Sequence, residues 1–263
     1  MKYQSLEIER RDGISTVWMN RPDRHNAFDE VLIGDLDDCF QRLADDPETR
    51  IIVLAARGKS FSAGGDLNWM RKAAGYTLEE NLRDARGLAA MLRSIDRTGK
   101  PTVARVQGAA LGGGTGLVCA CTIAIASTDA SFAMSEVRFG LVPATVGPYV
   151  VRAIGERHAG RYFVTAERFS AEEACRIGMV HEVVAPAALD ERVAAVVKSL
   201  QVGGPGAQAE AKRLIRMIAS RPIDEEVIEG TAQCIANIRA TPEAKEGIGA
   251  FLDKRQPRWL ASS

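Results

Sequence analysis

Three consecutive glycines, Gly112-Gly113-Gly114, stand between a strand-like run and an apolar run of helix length, and no other feature constrains the chain as much. The strand-like run is Thr102-Val103-Ala104-Arg105-Val106, and the glycine cluster extends from Gly108 to Gly116. The cluster opens an apolar run of helix length from Leu117. Backbone N–H groups at a helix start lack intrahelical partners and carry the positive end of the helix dipole. Glycines let another molecule come close to them. Such a turn suits a negative oxygen, either resting on a ligand or formed during a reaction. Glu136 follows, beside an apolar stretch able to desolvate it. A glycine triplet also fits a plain packing turn, and a lone Glu near a strand end also fits a solvated surface. The second glycine-rich turn, Phe61-Ser62-Ala63-Gly64-Gly65-Asp66-Leu67, favours a built site, because it too follows a strand-like run.

The 263 residues are 46% hydrophobic and 26% charged, an ordinary soluble globular composition that supports a sizeable core. Lys plus Arg and Asp plus Glu both number 34, so no basic excess points to nucleic acid. Five cysteines, Cys39, Cys119, Cys121, Cys175 and Cys234, sit mostly among apolar neighbours. Their odd number reads as free thiols in a reducing compartment rather than a disulfide framework. The opening Met1-Lys2-Tyr3-Gln4 carries no leader pattern, and no apolar run reaches the length of a membrane span. The expectation is a cytoplasmic protein without a membrane partner.

Taken in order, residues 3–9 and 13–19 read as a hairpin around Asp12-Gly13. A helix follows from about residue 29, with Leu32, Leu36, Phe40 and Leu43 on one face. Ile51-Ile52-Val53-Leu54-Ala55 reads as a buried strand. Residues 71–80 lack a strong period and read as a segment over the site. Thr77 to Glu80 forms a capping box for a helix with Leu78, Leu82, Leu88, Leu92 and Ile95 on one side. Strands near 122–126 and 131–134 follow, and strands alternating with helices imply crossovers and mainly parallel pairing. Beyond Pro148 the chain reads as helical, with a second capping box at Ser170 to Glu173, a stop at Gly178 and a short strand at 181–184. A helix over 187–200, a linker at Val202–Gly206 and three helices near 206–220, 223–238 and 242–254 complete it. The expected division is 1–202 and 203–263.

Several familiar chemistries are excluded. Arg57-Gly58-Lys59-Ser60 is not a P-loop, because Val53 stands where its first glycine belongs. His25, His158 and His181 assemble neither metal-ligand spacing nor a triad order, and Cys119 and Cys121 are not spaced as a zinc ribbon. No metal site is expected.

Six pieces in order resemble the crotonase (enoyl-CoA hydratase/isomerase) superfamily over nearly the whole chain. They are Arg21-Pro22 with Asn26-Ala27, Phe61–Leu67, Gly108–Gly114, Phe132 to Pro143 through Glu136 and Gly140, Ala171 to Val180, and Phe251-Leu252 to Pro257. Leu67-Asn68-Trp69-Met70, Ser135–Arg138 and Ala153–Arg157 are most similar to bacterial methylglutaconyl-CoA hydratases of leucine and acyclic-terpenoid breakdown. The resemblance implies an α/β spiral of repeated ββα units with a C-terminal helical trimerisation region, hence a homotrimer or a hexamer. It implies an acyl-CoA thioester as substrate, with coenzyme A part of the substrate and no separate cofactor.

By the same resemblance, the N–H groups of Gly65 and Gly113 hold the thioester oxygen, where negative charge accumulates during the reaction. Glu136 matches one of two family glutamates. The other falls on Gly116, which has no side chain. Three activities follow: a hydratase using Glu136 alone, a double-bond isomerase shuttling one proton, or a catalytically weak acyl-CoA binder. A glycine at 116 is expected to make room for a branched or carboxylated acyl chain. Arg138, Arg152 and Lys72 are candidate cations for such a chain, set against plain surface charge. Coenzyme A is expected along Arg24, Ala27, Ala63 and Asp66, with Phe251 and Lys254 near the nucleotide end, and Asp66 is alternatively a helix cap. RNA binding, known among relatives, is not expected from a neutral chain.

Overall fold

A computed structural model describes residues 2–261; Met1, Ser262 and Ser263, at the ends of the two expected regions, lie outside the described residues. The chain opens with β1 (Leu6–Arg11) and β2 (Ile14–Met19). Asp12 and Gly13 between them both take positive φ, 51° and 75°, as a two-residue hairpin turn requires. Then come α1 (Glu30–Asp45), β3 (Ile51–Ala56), α2 (Leu67–Ala73) and α3 (Leu78–Arg97). The glycine region supplies β4 (Thr102–Val106), β5 (Ala109–Leu111) and α4 (Gly113–Ala120), followed by β6 (Ile123–Ser127) and β7 (Ser131–Ala133). Next are α5 (Gly147–Thr165), β8 (Phe169–Ser170), α6 (Ala171–Arg176), β9 (Glu182–Val184) and α7 (Leu189–Gln201). The C-terminal helices are α8 (Pro205–Ile218), α9 (Glu225–Ala240), α10 (Pro242–Leu252) and the short α11 (Arg258–Ala261).

The larger sheet has the order β1-β2-β3-β4-β6-β9, antiparallel only between β1 and β2. Every residue of β3 is buried, because helices cover both faces. On one face α1, α3, α4 and α5 enclose the main core around Leu32, Phe40, Leu54, Leu92 and Leu117. On the other, Leu189, Val193 and Val197 of α7 pack against Ile51, Val53, Val103 and Ile125.

A second sheet, β5-β7-β8, runs alongside, and Ser62 joins it by a parallel bridge to Ala110. The spiral is visible in this arrangement. β3 is followed by the Ser62 bridge, β4 by β5, and β6 by β7, so successive turns feed both sheets. This is the crotonase fold that the motifs imply.

Four local expectations are corrected. Ala109–Leu111, read within the glycine turn, is a strand, and α4 then opens at Gly113 so that the glycines form its first turn. The apolar side of α3 is buried only at Met91, Leu92 and Ile95, while Leu78 is 85% exposed beyond the edge of the core. Arg71–Ala73, read as part of an irregular segment, continues α2. Ser170 caps α6, but the Glu173 carboxylate turns to Tyr162 and Arg176 instead of closing the box. The box at Thr77 and Glu80 is complete. α5 is two helical segments broken at Gly155, where φ is 72°.

The C-terminal helices are tied to the spiral at specific points. Arg50 donates to the carbonyls of Gln201, Gly203 and Trp259, and Lys212 donates to the carbonyl of Lys100. Among the described residues no helix is long and apolar enough to cross a membrane.

Candidate active site

Three successive turns of the spiral meet in one register. Ser62 pairs with Ala110, and Ala110 pairs with Phe132, both in parallel. Gly65, Gly113 and Ser135 each follow three residues beyond these pairings, with Glu136 next. The turns stay close past the last pairing: a Cβ on Gly112 would lie 3.2 Å from Oε1 of Glu136 and 3.9 Å from Cα of Gly64.

The loop from Arg21 to Phe28 fixes the first turn. Phe28 donates its N–H to the Gly64 carbonyl (2.7 Å), and Asp66 donates back to the Phe28 carbonyl (2.8 Å). The flanking amides are thus used. Among the described residues, the N–H groups of Gly65 and Gly113 donate to no protein acceptor. Gly113 is the first residue of α4, so its N–H is one of the orphan donors of that helix. Only glycine fits there, because a Cβ would lie 2.7 Å from Cε2 of Phe28. Trp69 and Met70, which flank Gly65, were read only as part of the Leu67–Met70 resemblance, and Phe28 was not singled out from the sequence. Nothing local in the sequence reports those contacts.

Glu136 opens a short 3-10 turn that Gly140 closes at φ 71°. Its carboxyl is partly buried, and Oε2 is shielded from solvent without a hydrogen-bond partner among the described residues. Burial pushes its pKa above the ordinary carboxylate value. A carboxyl so placed gives and takes protons more readily near neutrality than an exposed one.

The expected room beside Gly116 is absent. Gly116 is buried, and a Cβ there would lie 2.9 Å from Cβ of Val146 and 3.4 Å from Cδ2 of Leu92. Val146 and Leu92 fill the volume that a glutamate side chain or a branched acyl group would need. Val146 belongs to no motif, and only the meeting of α4 with the start of α5 reveals it.

The four residues expected along coenzyme A come together. Ala63 donates its N–H to the His25 carbonyl (3.0 Å), and Ala27 donates to the Arg24 carbonyl (3.0 Å). Arg24 lies 3.7 Å from Asp66, half exposed. Asp66 does cap α2, accepting from the N–H groups of Asn68 and Trp69. The buried Asn26 holds this loop, accepting from the Arg21 N–H and donating to the carbonyls of Arg57 and Ser60. Phe251, 82% exposed, and Lys254 lie at the end of α10, which packs against α8 and α9. The candidate cations are engaged elsewhere: Lys72 with Glu30, Arg152 with Asp96, and Arg138 with the Ala166 carbonyl.

Comparisons with known proteins match the chain over nearly its whole length. Residues 9–262 match the family model for enoyl-CoA hydratase/isomerase. The fold superposes on an enoyl-CoA hydratase from Shewanella pealeana with a TM-score of 0.96 and 41% identity, covering 98% of this chain and 97% of that one. The crotonyl-CoA hydratase of Syntrophomonas wolfei is 30% identical over 99% of this chain and 100% of its own length. The carnitinyl-CoA dehydratase of Escherichia coli is 31% identical over 97% of this chain and 98% of its own length.

Proposed function

The chain belongs to the enoyl-CoA hydratase/isomerase family, and from that premise we propose that it adds water to a 2-enoyl-CoA thioester with Glu136 as its single acid–base group. The carrying observation is the pair of unpartnered N–H groups, Gly65 and Gly113, on two glycine turns that approach each other at Gly64 and Gly112, where Oε1 of Glu136 also lies close. In this reading the two donors hold the thioester oxygen. Loss of one such donor typically costs about 10²–10³ in rate. Glu136 takes a proton from water as oxygen adds to the β-carbon, then returns a proton to the α-carbon. The partly buried setting of its carboxyl supports both steps.

The substrate reading is 3-methylglutaconyl-CoA or a related branched enoyl-CoA, on the likeness of the Leu67–Met70 and Ser135–Arg138 segments to such hydratases. Coenzyme A runs along Arg24, Ala27, Ala63 and Asp66, with Phe251 and Lys254 toward the nucleotide end. The exposed apolar residues of the last helices, Ile235, Ile248, Phe251 and Leu252, support assembly into a trimer or a hexamer. The division at 202/203 and a cytoplasmic location complete the reading.

One observation favours a second activity. Val146 blocks the place of the other family glutamate, and a double-bond isomerase needs only one carboxylate to move one proton between two carbons. Turnover of 3-methylglutaconyl-CoA, crotonyl-CoA and a 3-enoyl-CoA by the purified protein decides between them. Hydration of either 2-enoyl substrate supports the first reading. Migration of the 3-enoyl bond without hydration of the others replaces it with the second, and tight binding without turnover removes both.

A further inference from the structure

We infer that the ε-amino group of Lys212 is a site of covalent acylation by coenzyme A thioesters. The inference rests on the reading that such thioesters are what the protein binds. A cleft of about 260 Å³ opens between the end of α4, α5, the turn after α6, and α8. It is separate from the glycine turns, since Gly65, Gly113 and Glu136 do not line it. Lys212 and Arg216 enter from α8, Arg152 from α5 and Asp96 from α3. Cys119 and Cys121 form its floor, and His181 stands at the edge with Nδ1 accepting the Ala124 N–H.

Lys212 lines the cleft and donates a hydrogen bond to a neutral acceptor, the Lys100 carbonyl, at 2.8 Å; Lys100, whose pKa burial also lowers, does not line it and is held by the carbonyls of Leu43 and Asp46. Asp96, the carboxylate of the cleft, is taken by Arg152 at 2.7 Å and Arg97 at 3.6 Å. Burial lowers the Lys212 pKa to about 8, with Arg216 and Arg152 pushing the same way against Cys121 and Asp96. A sizeable share of the amine is therefore neutral near pH 7.5, with a lone pair free. Lys72, by contrast, is paired with Glu30, which raises its pKa. The two thiols do not compete, because burial pushes both up to about 12 and keeps them protonated.

The step balances without any other reactant. The neutral Nζ attacks the thioester carbonyl carbon and a C–N bond forms. The C–S bond breaks, and coenzyme A leaves as thiolate, taking the proton the nitrogen gives up. The products are an amide on Lys212 and free coenzyme A.

The test is incubation of the full-length protein with acetyl-CoA or crotonyl-CoA from pH 7 to 10, with site-resolved mass spectrometry of its eight lysines. Lys212 is expected to react roughly tenfold faster than any other lysine at pH 7.5, its larger neutral fraction outweighing a less basic amine. Its rate should level off above about pH 8 while exposed lysines continue to rise. In urea the preference should vanish. A Lys212 rate no greater than that of exposed lysines, or one still rising at pH 10, overturns the inference. Turnover of the same enoyl-CoA substrates, followed in parallel, separates the two readings. Turnover with Lys212 untouched sinks this inference alone, and selective acylation without turnover upholds it while removing the hydratase.

Discussion

The side chain of Val146, at the start of α5, occupies the space into which any side chain at Gly116 on α4 would project. Both residues are buried, and Leu92 of α3 closes the third side. The pair makes the missing glutamate a property of packing as well as of sequence. A carboxylate cannot be restored at residue 116 by one substitution, because well-packed cores do not yield to added atoms without strain.

Gly116→Ala is accordingly expected to destabilise the protein by about 1–3 kcal/mol through overpacking. Val146→Ala in the same chain should relieve much of that cost. Urea denaturation of the two single variants and the double variant measures the coupling, and strict additivity would mean the two side chains do not meet.

Glu136→Gln should lower kcat by about 10²–10⁴-fold, the usual worth of a positioned acid–base group. The fold should survive, since Glu136 Oε2 has no partner to lose among the described residues. Steady-state turnover with circular dichroism of the same sample checks both halves. Retained activity would remove Glu136 from the chemistry.

The pH dependence follows from the raised pKa of Glu136, caused by burial. Folding favours its protonated form, so that contribution to stability is full below pH 4.5 and fades as pH rises through the higher folded value. Above that value Glu136→Gln should be more stable than the parent, and the advantage should shrink toward pH 4.5. The carboxylate is the base, so kcat/KM should climb with pH to a midpoint above 4.5. A midpoint at or below 4.5, or a pH-independent stability difference, contradicts this placement.

Arg24→Ala should raise KM for the thioester with little change in kcat, the signature of lost uniform binding. Asp66→Ala should also cost about 1 kcal/mol of stability, because Asp66 caps α2 beside the Gly65 turn. Kinetics and thermal melting of both variants separate the roles. Equal KM values for parent and Arg24→Ala would take Arg24 out of the coenzyme A path.

Asn26 tests how the first turn is held. It is fully buried at φ 51° and spans Arg21, Arg57 and Ser60. Asn26→Ala leaves two carbonyls and an N–H unsatisfied, at about 1–3 kcal/mol for each buried group stranded. Denaturant unfolding should show the loss, and turnover should fall with it as the Gly65 amide loses its support.

Much of this was legible in the sequence because it is local. The Asp12-Gly13 turn, the Thr77–Glu80 box and the cap at Asp66 each depend on a few neighbouring residues and their backbone needs. The two glycine turns and Glu136 were legible as a resemblance in order along the chain. The strand at Ala109–Leu111 was not legible, because it is fixed by pairing with Ser131–Ala133, distant along the chain.

The sequence alone determined most of the strands, helices and glycine turns, since those choices rest on periodicity and backbone freedom within a short window. Only the tertiary structure decided that Ser62, Ala110 and Phe132 share one register, and that the amides of Gly65 and Gly113 have no acceptor among the described residues. It alone put Val146 against Gly116 and brought Lys212 to a cleft beside Cys121. These are contacts between residues distant along the chain, fixed by how the turns of the spiral stack, and no local pattern carries that information.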